Sequence, residues 1–178
     1  ATHPRILHIG ITPNKNLERV AQALQGVSCT LVVIGPLSAE QSAMLARHGI
    51  AFENHSNLSR AELLDQYIRC DLLLFASTYE GFGLPIIEAQ AVGRPVVTSD
   101  LAPMPEAAGG AASLVDPYDV ASIRQGVLRV MGDADYRDDL VARGLVNVER
   151  FRADKVAARY AQLYPAAAAV CSRFHCYW

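Results

Sequence analysis

A Rossmann-like α/β domain is the fold this sequence predicts: a doubly wound parallel sheet of about six strands with helices on both faces. Two observations carry the prediction. Near-continuous apolar runs recur along the chain, and segments of helical periodicity lie between them. Runs without polar alternation belong to strands covered on both faces, hence to a parallel sheet.

The elements follow in order. Residues 6–9 form the first apolar run. Leu17, Val20, Ala21 and Leu24 then fall at i, i+3, i+4 and i+7, one apolar stripe of a helix. Residues 31–34 are the second run, and Ser38-Ala-Glu-Gln41 reads as a capping box that starts the next helix. A weaker strand is expected at 51–54. A second capping box, Ser59-Arg-Ala-Glu62, follows it. Residues 72–75, inside the stretch 71–78, read as a buried strand. Residues 85–92 read as a helix with Pro85 in its first turn, where a missing N–H costs little. Short strands are expected at 96–97 and 113–115. Ile123, Val127, Val130 and Met131 repeat the helical stripe, and helices at 135–150 and 153–164 close the domain. The domain is expected to span 1–164, with 165–178 as a tail.

Composition sets bounds. The chain has 178 residues, about one domain, and 51% of them are apolar, enough for a substantial core. A net charge of −2 gives no electrostatic footprint for nucleic acid or an anionic membrane. No apolar run approaches the roughly 20 residues of a membrane span. The first residues, Ala1 to Arg5, lack a signal-peptide pattern and read as the middle of a longer chain. Cys29, Cys70, Cys171 and Cys176 fit no zinc-finger spacing. Cys29 and Cys70 flank expected strands and read as reduced core residues of a cytosolic protein. In the tail, Cys171, His175 and Cys176 would be three soft ligands without a fourth, so no metal site is assigned.

In an open parallel sheet, ligands bind outside the carboxyl ends of the strands. The loops expected there, 10–16, 35–38, 54–59, 77–83 and 99–106, carry Gly10, Lys15, Gly35, His55, Asn57, Thr78, Glu80, Gly81, Gly83 and Asp100. The segment Glu80-Gly-Phe-Gly-Leu-Pro-Ile-Ile-Glu88 is the most informative of them. A strand–glycine turn–helix junction presents free N–H groups and the positive end of a helix dipole, which suit phosphate. The N–H groups of Phe82, Gly83 and Leu84 are the candidate donors, while the Phe82 ring is expected in the core. Carboxylates repel phosphate, so Glu80 and Glu88 must meet another part of the ligand, and vicinal hydroxyls fit. A nucleotide-sugar, with a diphosphate between two polyols, satisfies both needs. The plainer reading makes Glu80 a helix cap and Glu88 a solvated helix residue. Lys15, near a helix start, can reach a diphosphate as a mobile charge, or can simply be solvated. His55 and Asn57 read as ordinary loop residues, with contact to a base as the alternative, and His3 and His8 as structural.

The run Glu80-Gly-Phe-Gly-Leu-Pro-Ile-Ile-Glu-Ala-Gln-Ala-Val-Gly-Arg-Pro-Val-Val-Thr-Ser99 resembles the donor-site signature of retaining glycosyltransferases of family 4, also called glycosyl transferases group 1. These are GT-B enzymes whose E-x(7)-E motif lies in the C-terminal half. The stretches 6–10, 14–19, 71–77, 104–109 and 115–117 are similar to the same half, so the likeness covers roughly 5–164. The resemblance implies a hexosyltransferase that acts with retention and uses the nucleotide-sugar as substrate, with no cofactor. Glu80 would be the catalytic carboxylate that orients the donor sugar. Gly10, Lys15, Phe82, Gly83, Leu84 and Glu88 would bind the donor, Lys15 on its phosphates and Glu88 on its ribose. The family commonly has Arg where Ile11 stands and Gly where Asn16 stands. Arg94 or a residue outside this chain is expected to replace the missing phosphate contact. The Asn14-Lys-Asn-Leu17 form suggests a subgroup and points to GDP-mannose, with a UDP-sugar as the alternative. An N-terminal acceptor domain, a sugar or lipid-linked acceptor, and a cytoplasmic place at the inner face of the cell membrane complete the expectation. Rival readings are a nucleotide-sugar epimerase, a glycogen-synthase-like enzyme, or a binding domain without catalysis.

Overall fold

The computed structural model describes residues 3–162. Six strands form one parallel sheet: β1 (Arg5–Ile9), β2 (Thr30–Ile34), β3 (Ala51–His55), β4 (Leu72–Phe75), β5 (Val96–Ser99) and β6 (Ser113–Val115). Their order is β3-β2-β1-β4-β5-β6, the doubly wound arrangement. The helices are α1 (Leu17–Leu24), α2 (Ala39–Arg47), α3 (Arg60–Arg69), α4 (Leu84–Ala91), α5 (Met104–Ala108), α6 (Val120–Gly132) and α7 (Ala134–Val148). Residues 153–162 are also helical; the rest of the last expected helix and the tail lie outside the described residues.

The strands bury both faces because their residues alternate between two cores. Ile6, Leu31, Val33, Leu72, Leu74 and Val97 meet α1, α2 and α6 on one face. Leu7, Val32, Leu73, Phe75 and Val96 meet α3, α4 and α5 on the other. β3 is the exception that explains its weaker sequence signal. Among the described residues it pairs only with β2, and no residue of it is fully buried.

Both capping boxes form as the sequence predicts. Ser38 Oγ accepts from Gln41 N at 3.1 Å and Gln41 Oε1 accepts from Ser38 N at 3.0 Å. Ser59 and Glu62 repeat the exchange at 3.3 and 2.7 Å. Two expectations shift. The helix expected at 135–150 is α7, which ends at Val148 and tightens into a 3-10 turn at Glu149–Phe151. Part of the stretch expected as loop after β5 is the short helix α5. Cys29 and Cys70 are buried free thiols, in keeping with a core role; burial pushes the Cys70 thiol up to about 11.

α4 is the helix that carries the signature, and buried amides fix its position. Gln90 donates to the carbonyls of Ala108 and Ala111, both at 3.1 Å. Asn147 of α7 donates to Gln90 Oε1 and to the Ala107 carbonyl, both at 2.8 Å. Each buried polar atom thus gains a partner, and α4, α5 and α7 lock together. Gly144 permits the close approach, since a Cβ there would stand 3.0 Å from Gln90 Cγ. Part of the signature therefore serves packing.

Candidate functional site

The winding of the sheet reverses between β1 and β4. The chain leaves β1 toward α1 on one face and leaves β4 toward α4 on the other, so their loops diverge and open a crevice. The two loops are sewn together at its base. Thr78 N donates to Asn14 O at 2.8 Å, and Asn14 Nδ2 donates to Tyr79 O at 2.9 Å. Asn16 Nδ2 donates to the carbonyls of Ala76 and Pro117, at 3.0 and 2.6 Å. Asn16 has φ 63° and ψ 31°, a left-handed conformation that Asn tolerates better than other side chains. It thus fills a position suited to glycine and adds an amide that ties three loops. Arg19 Nη1 donates to Asn16 Oδ1 at 3.0 Å and lies over the Tyr118 ring at 5.5 Å.

Lys15 and Glu80 meet in this crevice. Lys15 Nζ donates to Glu80 Oε1 at 2.5 Å, and the two side chains keep 18% and 13% of their exposure. Nζ also lies 4.8 Å from the Phe75 ring centroid. The lysine stem runs across Gly10. A Cβ there would stand 2.7 Å from Lys15 Cε and 2.9 Å from Cγ, and Gly10 has φ +92°. Glycine at position 10 is therefore required both by the backbone and by the lysine.

Gly83 caps α4 with φ 95°, and a Cβ there would meet Ile86 Cδ1 at 3.1 Å. Pro85 stands in the first turn, as expected. Among the described residues, the N–H groups of Phe82, Gly83 and Leu84 meet no protein acceptor. Gly81 differs from its neighbour: it is not left-handed, and a Cβ there meets nothing within 4 Å. The Phe82 ring departs from the expected core position. It is 46% exposed and meets Phe151 edge-on, with centroids 5.8 Å apart. The glycines on either side leave it in a turn outside the sheet, where the core is already filled by Phe75 and Ile86.

Glu88 lies on the exposed side of α4, where Tyr67 of α3 donates its phenol to Glu88 Oε2 at 2.6 Å. Tyr67 is 2% exposed. Burial pushes its phenol above the ordinary range, and the hydrogen bond to Glu88 adds to this. Sequence reading missed Tyr67. The available signal was a tyrosine on the inward face of α3, because a buried phenol needs a partner.

Four residues fall away from the crevice. Arg94 precedes β5 at the amino end of the sheet and donates to Ile68 O at 2.5 Å, so it cannot replace the phosphate contact expected of it. Ile11 packs over Gly35, whose Cβ would stand 3.0 Å from Ile11 Cγ2, and joins the core margin. His55 ends edge strand β3 with Nε2 3.4 Å from Glu53 Oε2, and Asn57 turns the following loop with φ 55°. His8, by contrast, is fully buried in β1 as a structural residue. Its Nδ1 stands 3.3 Å from Leu74 O, its Nε2 has no partner among the described residues, and burial pushes its pKa down to about 4.

The crevice thus brings together a lysine paired with a carboxylate, free N–H groups at a helix start and a second carboxylate on that helix. The family described as glycosyl transferases group 1 matches residues 3–133, and the chain belongs to it. The O-antigen chain mannosyltransferase B of Escherichia coli is 40% identical over 85 residues, which are 48% of this chain and 22% of that protein. The sucrose-phosphate synthase of Thermosynechococcus elongatus superposes with a TM-score of 0.81 at 22% identity, covering 94% of this chain and 46% of that one. Anabaena HepE, solved in complex with UDP and glucose, gives 0.79 at 19% identity, covering 93% of this chain and 49% of that one. The chain thus spans about half the length of these GT-B structures, and its match covers less than a quarter of the curated relative. Among the described residues, no helix is long and apolar enough to cross a membrane.

Proposed function

We propose that this chain is the donor-binding, C-terminal half of a retaining hexosyltransferase. The observation that carries the reading is the Lys15–Glu80 pair at the sheet's switch point, beside N–H groups of Phe82, Gly83 and Leu84 that are unbonded among the described residues. Lys15 and these N–H groups hold the donor diphosphate and take up its charge as it leaves. Glu80 accepts bonds from hydroxyls of the transferred hexose and orients it. Glu88, steadied by Tyr67, accepts from the ribose. The bond from the anomeric carbon to the β-phosphate oxygen breaks. The acceptor hydroxyl oxygen bonds to that carbon on the same face, passing its proton to the departing phosphate oxygen, and the configuration is retained. Neither carboxylate is assigned as a nucleophile, and no cofactor is assigned.

GDP-mannose is the favoured donor, because the relative with 40% identity is a mannosyltransferase. A UDP-sugar is the second reading, favoured by the fold-neighbour solved with UDP and glucose. The acceptor, a sugar or a lipid-linked sugar, would meet an N-terminal domain outside this chain, at the cytoplasmic face of the cell membrane. Closure of two domains completes such sites, so this chain alone should bind donor and transfer little.

Calorimetric titration with GDP, UDP, ADP and their mannose or glucose conjugates tests the reading. Selective binding of one nucleotide, weakened by Lys15→Ala and by Glu88→Ala, supports the donor site and names the base. A longer protein that includes the acceptor domain and transfers no hexose from any nucleotide-sugar would sink the enzyme. Product analysis with labelled donor separates transfer from epimerisation and from polymer extension.

A further inference from the structure

We propose that Glu80 makes the crevice prefer nucleotide diphosphates that carry a sugar over bare nucleoside diphosphates, by competing with phosphate for Lys15. The inference rests on the donor-site reading and goes beyond it. Lys15 is committed to a carboxylate: Nζ lies 2.5 Å from Glu80 Oε1. Its stem lies on Gly10 and its ammonium faces the Phe75 ring, so it is held in place on several sides. Among the described residues, Lys15 is the one side chain that donates to Glu80, and Glu80 Oε2 accepts nothing from the protein.

A diphosphate drawn to Lys15 therefore meets the Glu80 carboxylate as well. Both are anionic, and both seek one ammonium. The pair is mostly buried, so water and salt screen the repulsion weakly. A bare nucleoside diphosphate takes this repulsion in full. A hexose on the β-phosphate changes the balance, because its hydroxyls donate to the unoccupied Oε2 and to Oε1 as Lys15 turns to the phosphates. The carboxylate then exchanges one donor for others and is never left without a partner. Glu80 thus discriminates by a penalty on the competitor as much as by attraction to the donor. The same penalty returns after transfer, when the nucleoside diphosphate product stands alone beside Glu80, and it speeds product departure.

The test compares the wild-type chain, Glu80→Gln and Lys15→Met by calorimetric titration with GDP, GDP-mannose, UDP and UDP-glucose. Glutamine keeps the shape and still bonds hydroxyls, but it does not repel phosphate. Wild type should bind the nucleotide-sugar more tightly than its nucleoside diphosphate. Glu80→Gln should bind the bare nucleoside diphosphate about tenfold more tightly than wild type does. Its affinity for the nucleotide-sugar should not rise, so the preference collapses. Lys15→Met should weaken both ligands. If Lys15→Met weakens both but Glu80→Gln binds the bare nucleotide no more tightly than wild type, the donor site stands and the selecting role of Glu80 is overturned. If no variant with a wild-type melting temperature binds any of the four ligands, the donor-site reading falls and takes this inference with it.

Discussion

At its carboxyl end the sheet brings Lys15 to Glu80; at its amino end it brings Arg5 to Glu53 and aims Arg94 at a main-chain carbonyl. Each end pairs a cation with a carboxylate at 2.5 Å. Each also carries a cleft of similar size: about 390 Å³ beside Asp71, Arg94 and Arg137, and about 400 Å³ beside Ile11, Arg19 and Arg47. Charge and volume do not tell the ends apart. Open backbone donors do. Left-handed residues stand at both ends, Gly10, Asn16, Gly35 and Gly83 at one and Gly26, Gly49 and Gly93 at the other, but among the described residues the N–H groups of Phe82 to Leu84 at the carboxyl end are unbonded. At the amino end Arg5 N donates to Asp71, the Arg5 guanidinium holds Glu53 in a two-pronged pair, and Arg94 is engaged by Ile68. A closed ion pair occurs at both ends, so it is the backbone donors left open where the winding reverses that mark the carboxyl end as available to a ligand.

The comparison sharpens into measurements, the largest first. Near the carboxyl end of β1, His8 stays neutral in the fold until about pH 4, against an ordinary value of 6.5. The unfolded chain takes up this proton first, so stability should fall as pH drops from about 6.5 to 4. The loss should be about 3 kcal/mol. Urea titrations across that range should show it, and His8→Leu should flatten the slope.

Lys15→Ala should weaken nucleotide binding about 100-fold, the scale of losing one charged contact to phosphate. Arg94→Ala, at the other end, should leave affinity unchanged; equal losses would break the comparison. Gly10→Ala should cost about 1–2 kcal/mol for its left-handed backbone and should also weaken binding by displacing Lys15. Gly49, left-handed at φ 67° with open space around it, is the control. Gly49→Ala should cost similar stability and no affinity.

Tyr67→Phe should weaken binding a few-fold, about 1 kcal/mol. The loss should be larger for a ribonucleotide than for its 2′-deoxy form, because Tyr67 acts through Glu88. The smallest effect belongs to the amino-end pair. The hydrogen bond from Arg5 holds the Glu53 carboxyl at about 2, below its ordinary 4.5. Its stabilisation is present above about pH 4.5 and is lost as pH falls toward 2. Glu53 is 42% exposed and solvent screens the pair, so Glu53→Gln should cost less than about 1 kcal/mol in thermal melts at pH 7.

Local chemistry made much of this protein legible in one dimension. Apolar runs placed the strands, Ser38 and Ser59 announced two helices, and Pro85 with Gly81 and Gly83 before it marked the start of α4. Lys15 and Glu80 were recognisable as candidates because each follows a strand at its carboxyl end. Their contact was not, since it joins residues far apart in sequence and depends on β4 lying beside β1. Nor was the bond from Tyr67 to Glu88, the lock of Gln90 on Asn147, the outward turn of Phe82, or the place of Arg94 at the wrong end of the sheet. The sequence by itself determined the periods, the caps and the residue types available to a ligand, because these depend on a few neighbouring side chains. Tertiary structure alone decided which of them meet, because strand order sets every long-range contact and no local pattern encodes it.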